Sequence, residues 1–533
     1  MSSTAPAYRS LAIGAAINWA AFVASLGVSF FLAPYLICGL GDDRYGVWCI
    51  VEGILAYFTL FDLGIAACLV RFVAKYHATS ERLELNRIVS ACLVVFAVAA
   101  GCVMVLGAVL IPLLGPRLDR KLGSPGDVPA FMFLMLANLA LTLPLSVFPT
   151  ILDGLQRFGA KSAIRLTFLV LRVVGIVVVM EDRPGLFPLA VVFTITNLLE
   201  HAVAAAVAFG SLPGLRVGWG LVDRETLRRV KGYSVDAFLA MLAGRITVQT
   251  GAVVVGGFLA AASAAHYAIA ARLVELAKNS LRSVTTTLTP AISEREARGD
   301  LEGIRRVLLD ASRWVLYLVL PVHLGLLFFG RPFLSRWIGG PEYADRCFPT
   351  TAILSATLTI GVAQSVAARV LYGMGRLRLF ARLALVEAVL NLGLSLALVE
   401  PLGLEGVAIA VAGPNVLFCL FAIGYACWTL DVSTSRYLRA SWLRPVLASC
   451  VPTAVWWLRA PAEPMWLSIA ASILAGLLPY AVVVGLVEFR HRLVRKRTLA
   501  PEAITIAQSA RMEPVKRVSS PRSLRVRRAS IRG

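Results

Sequence analysis

Charged and amide side chains stand in this sequence where apolar ones would be expected. Arg172 lies in the middle of Phe168-Leu-Val-Leu-Arg-Val-Val-Gly175, and Arg245 and Gln249 are four residues apart in another apolar run, hence on one helical face. A third run is amphipathic and sets Arg272, Glu275 and Lys278 on one face, with Asn279 and Arg282 beyond. Asp62 interrupts Leu60-Phe-Asp-Leu-Gly64, and Asn18, Glu200, His201, Gln364, Glu387 and Asn391 also fall inside apolar stretches. An ionisable group within hydrocarbon is costly, so each is a functional candidate by default. Arginine suits phosphate because its planar fork can bond two oxygens at once, which makes Arg172, Arg245 and Arg272, supported by Lys278, candidates for holding an anionic headgroup in a wet cavity. Carboxylates near such cations can take up a proton or a sodium ion. Internal pairing is the competing account: Arg272 with Glu275, and Glu275 with Lys278, have the spacing to neutralise each other. Arg282 and Arg369, near helix ends, are expected to snorkel to headgroups, and His201 to serve helix packing.

These groups need elements to carry them, and composition says what kind. Of 533 residues, 58% are hydrophobic and only 16% charged, against roughly a quarter charged in soluble chains. Mean hydropathy is +0.77. Such a chain needs lipid as part of its solvent. Apolar runs of about 20 residues span a bilayer as helices. Fourteen runs are centred near Leu26, Leu55, Ala99, Leu139, Leu171, Leu198, Val248, Lys278, Leu320, Val362, Leu392, Ala412, Val451 and Leu474. They predict an all-α integral membrane protein with no room for a folded soluble domain. The first run, from Leu11, is too long for a removable signal peptide and lacks a small-residue cleavage site. Eight of the nine cysteines lie inside apolar runs and none forms a CxxC pair, so they read as small buried hydrophobes. No Gly-x-x-x-x-Gly-Lys-Ser/Thr, HExxH or Cys/His cluster occurs, so no cofactor or metal is expected.

The net charge of +21 must sit at membrane faces or in a tail. One set of alternate loops carries Arg71, Lys75, Arg82 and Arg87, then Arg157, Lys161 and Arg165, then further clusters near Arg228, Arg305, Arg376 and Arg439; the opposite set is poorer. Positive charge collects on the cytoplasmic side, which places both termini there. The stretch 490–533 is basic with Ser and Pro between, lacks apolar content, and reads as a disordered anchor attracted to anionic lipid headgroups. No aromatic residue interleaves its arginines, which argues against nucleic acid as a partner.

The chain also resembles itself. Leu152-Asp-Gly-Leu-Gln-Arg157 is similar to Leu371-Tyr-Gly-Met-Gly-Arg376, with Gly154 and Gly373 219 positions apart; Asn197 and Asn415, and Tyr45-Gly-Val47 and Tyr267-Ala-Ile269, recur at nearly the same spacing. A six-span repeat has both copies entering the membrane in one direction, giving two parallel lobes around a central cavity that opens to each face in turn. The expected division is 1–215 for the first six-helix lobe, 216–435 for the second, 436–489 for two added helices and 490–533 for the tail. Gly and Pro within spans (Pro34, Gly101, Pro144, Gly175, Pro321, Gly393, Pro414) are expected mostly at packing positions.

Leu40-Gly-Asp-Asp-Arg-Tyr-Gly-Val-Trp48, Tyr57-Phe-Thr-Leu-Phe-Asp-Leu-Gly64 and Val70-Arg-Phe-Val-Ala-Lys-Tyr76 resemble the polysaccharide flippases of the multidrug/oligosaccharidyl-lipid/polysaccharide exporter superfamily. Ala265-His-Tyr-Ala-Ile-Ala-Ala-Arg-Leu273, Leu371–Arg376 and Leu402-Gly-Leu-Glu-Gly-Val-Ala408 are similar to the family's later segments. The resemblance covers roughly residues 10–430. It implies a V-shaped, two-lobed, non-enzymatic transporter of the inner membrane that moves an undecaprenyl-diphosphate-linked oligosaccharide between leaflets for O-antigen, lipopolysaccharide or exopolysaccharide synthesis, beside polysaccharide polymerase and assembly proteins. Its cationic cavity would fall on Arg172, Arg245 and Arg272; Asn18, Gln249, Gln364 and Asn391 would meet sugar hydroxyls. Many relatives carry an Asp after Gln-Thr in the seventh span, where this chain has Gln249-Thr250-Gly251, so ion coupling would fall to Asp62. Two rivals differ in chemistry. A cation-coupled drug or metabolite antiporter of the same superfamily would have a cavity dominated by carboxylates. A lipid-linked glycosyltransferase would use Asp42-Asp43 on a metal, but those residues equally suit a helix-capping turn.

Overall fold

The computed structural model describes residues 5–62, 65–122, 127–228, 249–285, 288–376, 378–459 and 465–512, and the side chains of these apart from 5–19, 22, 67, 121, 290, 378 and 491–512. Arg245 and the side chain of Asn18 therefore lie outside the described residues. Among the described residues the chain is all-α, as composition predicts. In hydrocarbon every backbone N–H and C=O must be satisfied within its own segment, and a helix alone does that for a single run.

Among the described residues ten helical segments are long and apolar enough to cross a membrane, fewer than the fourteen runs in the sequence. The difference has local causes. Arg378–Thr429 holds two helices on either side of Gly403, whose φ of 57° breaks the α geometry. The seventh run falls largely in residues 229–248, outside the described set. The eighth, Ala261–Ser283, is helical but too polar to qualify, and the thirteenth yields only the 16-residue helix Leu443–Leu458. Outward faces are apolar because lipid covers them: Val105, Val109, Val170, Val174 and Val178 are all exposed.

The duplication is written into the backbone. Val147–Gly154 and Pro341–Gly373 end in the same cap, with Gln156 at φ 58° and Gly375 at φ 67°. Arg157 N donates to Leu152 O and Arg376 N to Leu371 O, each at 2.9 Å. A Cβ on Gly154 would lie 2.7 Å from Val73 and 3.2 Å from Val70 O; one on Gly373 would lie 2.6 Å from Ile292 and 3.2 Å from Thr289 O. Ser80 and Gly299 share a left-handed turn, φ 59° and 72°, followed by Glu81 N to Tyr76 O at 3.0 Å and Asp300 N to Arg295 O at 2.9 Å. Every one of these pairs is 219 positions apart, the spacing of the sequence repeat. Of the small residues inside spans, Gly175 packs tightly, its Cβ site lying 2.8 Å from Val192; Gly101 and Gly393 have nothing within 4 Å.

The chain divides into two compact units, Met1–Leu477 and Leu478–Gly533. Within the first unit the apolar cores explain how the lobes meet. One cluster joins Leu36, Tyr45, Val47 and Trp48 of the first lobe to Val254, Ala261, Tyr267 and Trp337 of the second. At the opposite end there are two separate clusters, one built from residues between Phe58 and Leu215, the other from residues between Ile292 and Tyr437. The lobes are thus fused at one end and independent at the other.

Candidate functional site

Between the lobes lies a cavity of about 880 Å3. Its walls come from the helices Asp42–Phe58, Ala261–Ser283, Pro341–Gly373 and Arg378–Thr429, with helical residues 249–258 adding Gln249 and Ala252. At the fused end it stops against Tyr45, Cys49 and Tyr267, which are 2%, 6% and 3% exposed; at the other end it widens past Asn279 to Tyr372, 41% exposed.

Four cations and three carboxylates line it: Arg272, Lys278, Arg282 and Arg369 against Glu52, Glu275 and Glu387. Arg272 sits beside the Tyr45 hydroxyl, with Glu52 nearby. Lys278 Nζ is 3.9 Å from Glu275 Oε1, and Asn279 Nδ2 donates to Glu275 Oε2 at 3.1 Å. Glu387 accepts from Asn415 Nδ2 at 3.1 Å. Arg282 donates from Nη2 to Gly361 O at 3.4 Å, while its Nε is buried without a hydrogen-bond acceptor. Gly361 instead makes room for Lys278, since a Cβ there would stand 3.1 Å from Lys278 Cε. Glu275 and Glu387 are therefore engaged by neighbours, while the Arg282 Nε is left over. Such a wall can hold an anion with several oxygens more readily than a cation.

The structure brings Arg272, Lys278, Gln249 and Gln364 together here, as the sequence predicts, and adds Arg282 and Arg369, which were expected to snorkel. It does not bring Arg172. That side chain donates from Nε to Thr196 Oγ1 at 3.0 Å, pairs with Glu200 at 3.4 Å and lies over the Phe193 ring, 5.4 Å from its centroid, away from the cavity residues. The sequence offered Glu200 as a partner 28 positions on, which no local spacing rule detects. Asn391 is wholly buried behind the wall and accepts from Ser395 Oγ at 3.3 Å. Asp62 closes a 3-10 turn, Thr59–Asp62, and accepts Ala66 N at 3.2 Å, so it caps the next helix and is not among the cavity residues. His201 Nδ1 lies 2.8 Å from Asn197 O on its own helix, as a packing role requires. Glu52 and Glu387 acquire their place only through tertiary contact. Tyr45 and Tyr267, the repeat markers, both line the cavity's closed end. Asp42 and Asp43 fill the first turn of the helix that Gly41 begins, and among the described residues no His/Cys/Asp/Glu cluster suited to a metal ion occurs.

Two duplicated helical lobes with a cationic cavity between them define a multi-pass membrane transporter. The chain belongs to the Lipid II flippase MurJ family, whose description matches residues 64–476, and that family is one of flippases, not enzymes. Among curated relatives, the uncharacterized membrane protein EpsK of Bacillus subtilis (strain 168) is 22% identical over 413 residues, 74% of this chain and 78% of that protein. The probable low-salt glycan biosynthesis flippase Agl15 of Haloferax volcanii is 23% identical over 220 residues, 39% of this chain and 46% of its own length. Among solved structures, a lipid II flippase MurJ in an inward closed conformation superposes with a TM-score of 0.64 at 14% identity, covering 88% of this chain and 99% of that one. An inward-facing multidrug resistance MATE family transporter gives 0.61 at 14% identity, covering 76% and 94%. At such identities the superpositions speak for the fold alone.

Proposed function

We propose that this protein is a flippase that carries an undecaprenyl-diphosphate-linked oligosaccharide from the inner to the outer leaflet of the cytoplasmic membrane, for surface polysaccharide synthesis of the O-antigen or exopolysaccharide kind. The observation that carries the reading is the cavity's four cations beside three carboxylates, two of which are already bonded to neighbouring amides. Arg272, Lys278, Arg282 and Arg369 would hold the diphosphate, and Gln249, Gln364 and Asn415 would meet sugar hydroxyls. Arg245, four positions before Gln249, belongs with the diphosphate group on sequence grounds. The wide end of the cavity lies toward the loop bearing Arg376 and Arg382; positive charge on the cytoplasmic side makes this an inward-open arrangement with both termini inside. Rocking of the lobes about their fused end would then expose the cavity to the other face. Polymerase and assembly proteins are the neighbours such a reaction would feed. The drug-antiporter alternative fits less well, because a cationic drug would meet four like charges.

Deletion of the gene and complementation test the reading. Loss of surface polysaccharide with lipid-linked intermediate retained on the inner leaflet is the expected phenotype, restored by the wild-type chain. Arg272→Ala and Arg282→Ala, at normal protein level, should each lower rescue by about tenfold or more, the cost of removing a charge-assisted bond of ~1.5–3 kcal/mol. Full rescue by both variants would refute the site, and a deletion strain with normal polysaccharide would refute the function.

A further inference from the structure

The fused end of the lobes has almost no clearance. A Cβ on Gly46 of the first lobe would lie within bonding distance of Ala261 O of the second, and one on Gly256 would meet Ile50 at 2.2 Å. Trp337 Nε1 donates to Phe30 O at 3.1 Å while stacking on the Phe30 ring. One ionisable pair crosses this packed region. His266, 4% exposed on the helix Ala261–Ser283, places Nε2 3.4 Å from Asp42 Oδ2 at the start of Asp42–Phe58, out of line for a hydrogen bond. The Tyr343 ring meets the imidazole edge-on, with centroids 4.7 Å apart.

From this geometry we infer that His266 and Asp42 form a proton-operated latch, holding the lobes together while His266 is protonated and loosening them when it is neutral. A neutral imidazole here leaves a buried nitrogen without a hydrogen-bond partner at the tightest part of the closure; a protonated one gains an ion pair with Asp42 across the two lobes. The groups facing it are Asp42, Asp43 and Tyr45 from the first lobe, Tyr343, Asp345, Arg346 and Cys347 from Pro341–Gly373, and Glu405 from Arg378–Thr429. Asp345 is engaged by Arg331 at 2.6 Å. Burial and Arg346 oppose a proton on His266, while Asp42 and Asp43 favour it. The proton has an exit: His266, Arg346, Thr350 and Glu405 line a separate pocket of about 500 Å3 on the far side of the latch from the main cavity. A proton taken from that side would stabilise the inward-open arrangement, and its loss would permit opening to the same side. The latch rests on reading the cavity as a transport path, but it concerns lobe opening and not the cargo.

Single-molecule energy transfer tests it on the full chain in lipid nanodiscs, without substrate. Dyes would be attached at Asp182→Cys and Glu342→Cys, both exposed near the fused end, in a chain whose native cysteines are replaced and which still complements the deletion strain. Lowering the pH from about 8 to about 5, across the ordinary imidazole range, should raise the ratio of closed to open molecules about three- to tenfold. His266→Gln should show the same two states with a ratio that no longer follows pH, and Asp42→Asn should lose most of the response. A wild-type ratio indifferent to pH, or a response that His266→Gln retains, overturns the latch. Either result leaves the flippase reading to stand or fall on complementation alone.

Discussion

At the scale of single residues, burial and partnership separate a working charge from a structural one. Arg172 and Glu200 are both about four-fifths buried and satisfy each other and Thr196. Arg172→Ala leaves a lone carboxylate within the membrane, and the expected loss is about 1–3 kcal/mol, seen as lower protein level. Removing both charges in Arg172→Met with Glu200→Met should restore the level and keep transport; failure of the double variant while Glu200→Gln alone is tolerated would mean the guanidinium has a second task. Arg282 behaves in the opposite way, because its Nε has no acceptor among the described residues. Arg282→Ala should therefore spare the protein level and lower transport. Arg172 and Arg272 were both candidates for the anionic headgroup, one in an apolar run and the other in an amphipathic one. What separates them is where their partners lie, Glu200 and Thr196 away from the cavity for Arg172 and Tyr45 on its wall for Arg272, and periodicity does not report that.

Helices and turns carry their own predictions, and the duplicated caps are the sharpest. Gly375 and Gln156 occupy the same left-handed position, φ 67° and 58°, in the two lobes. A side chain there costs about 1–2 kcal/mol. Gly375→Ala should lower the thermal midpoint, whereas Gln156→Gly should raise it or leave it unchanged; equal destabilisation by both would show that the caps are not equivalent. Gly373→Ala should be more damaging, since the added methyl would sit 2.6 Å from Ile292, and overpacking of that kind costs about 1–3 kcal/mol. The sequence betrayed these elements through Gly, Arg and aliphatic residues recurring at a fixed spacing. It hid the capping contact of Asp62 with Ala66 N, because an aspartate in an apolar run reads the same as a helix cap and as an ion-coupling acid.

Considered whole, the all-α membrane architecture was legible from hydropathy alone, since the bilayer leaves a chain few alternatives. The cavity was legible in part: Arg272, Lys278, Gln249, Gln364 and Glu387, all polar positions in apolar or amphipathic runs, line it. Glu52 was not, and Arg369 was expected at a headgroup, because their place depends on which helices become neighbours. The basic stretch beyond Met512 should add only affinity for anionic lipid, ~1 kcal/mol per residue near the surface; a chain ending there should still complement the deletion strain, and loss of rescue would assign the tail a further role. One consequence follows from the contact of Gly46 with Ala261, which leaves no room for even a methyl group. A joint that close is watertight. A carrier with a lumen wide enough for several sugars can then idle in an energised membrane without short-circuiting it, and Gly46→Ala, by wedging the joint apart, should make resting cells leak ions and dissipate their voltage.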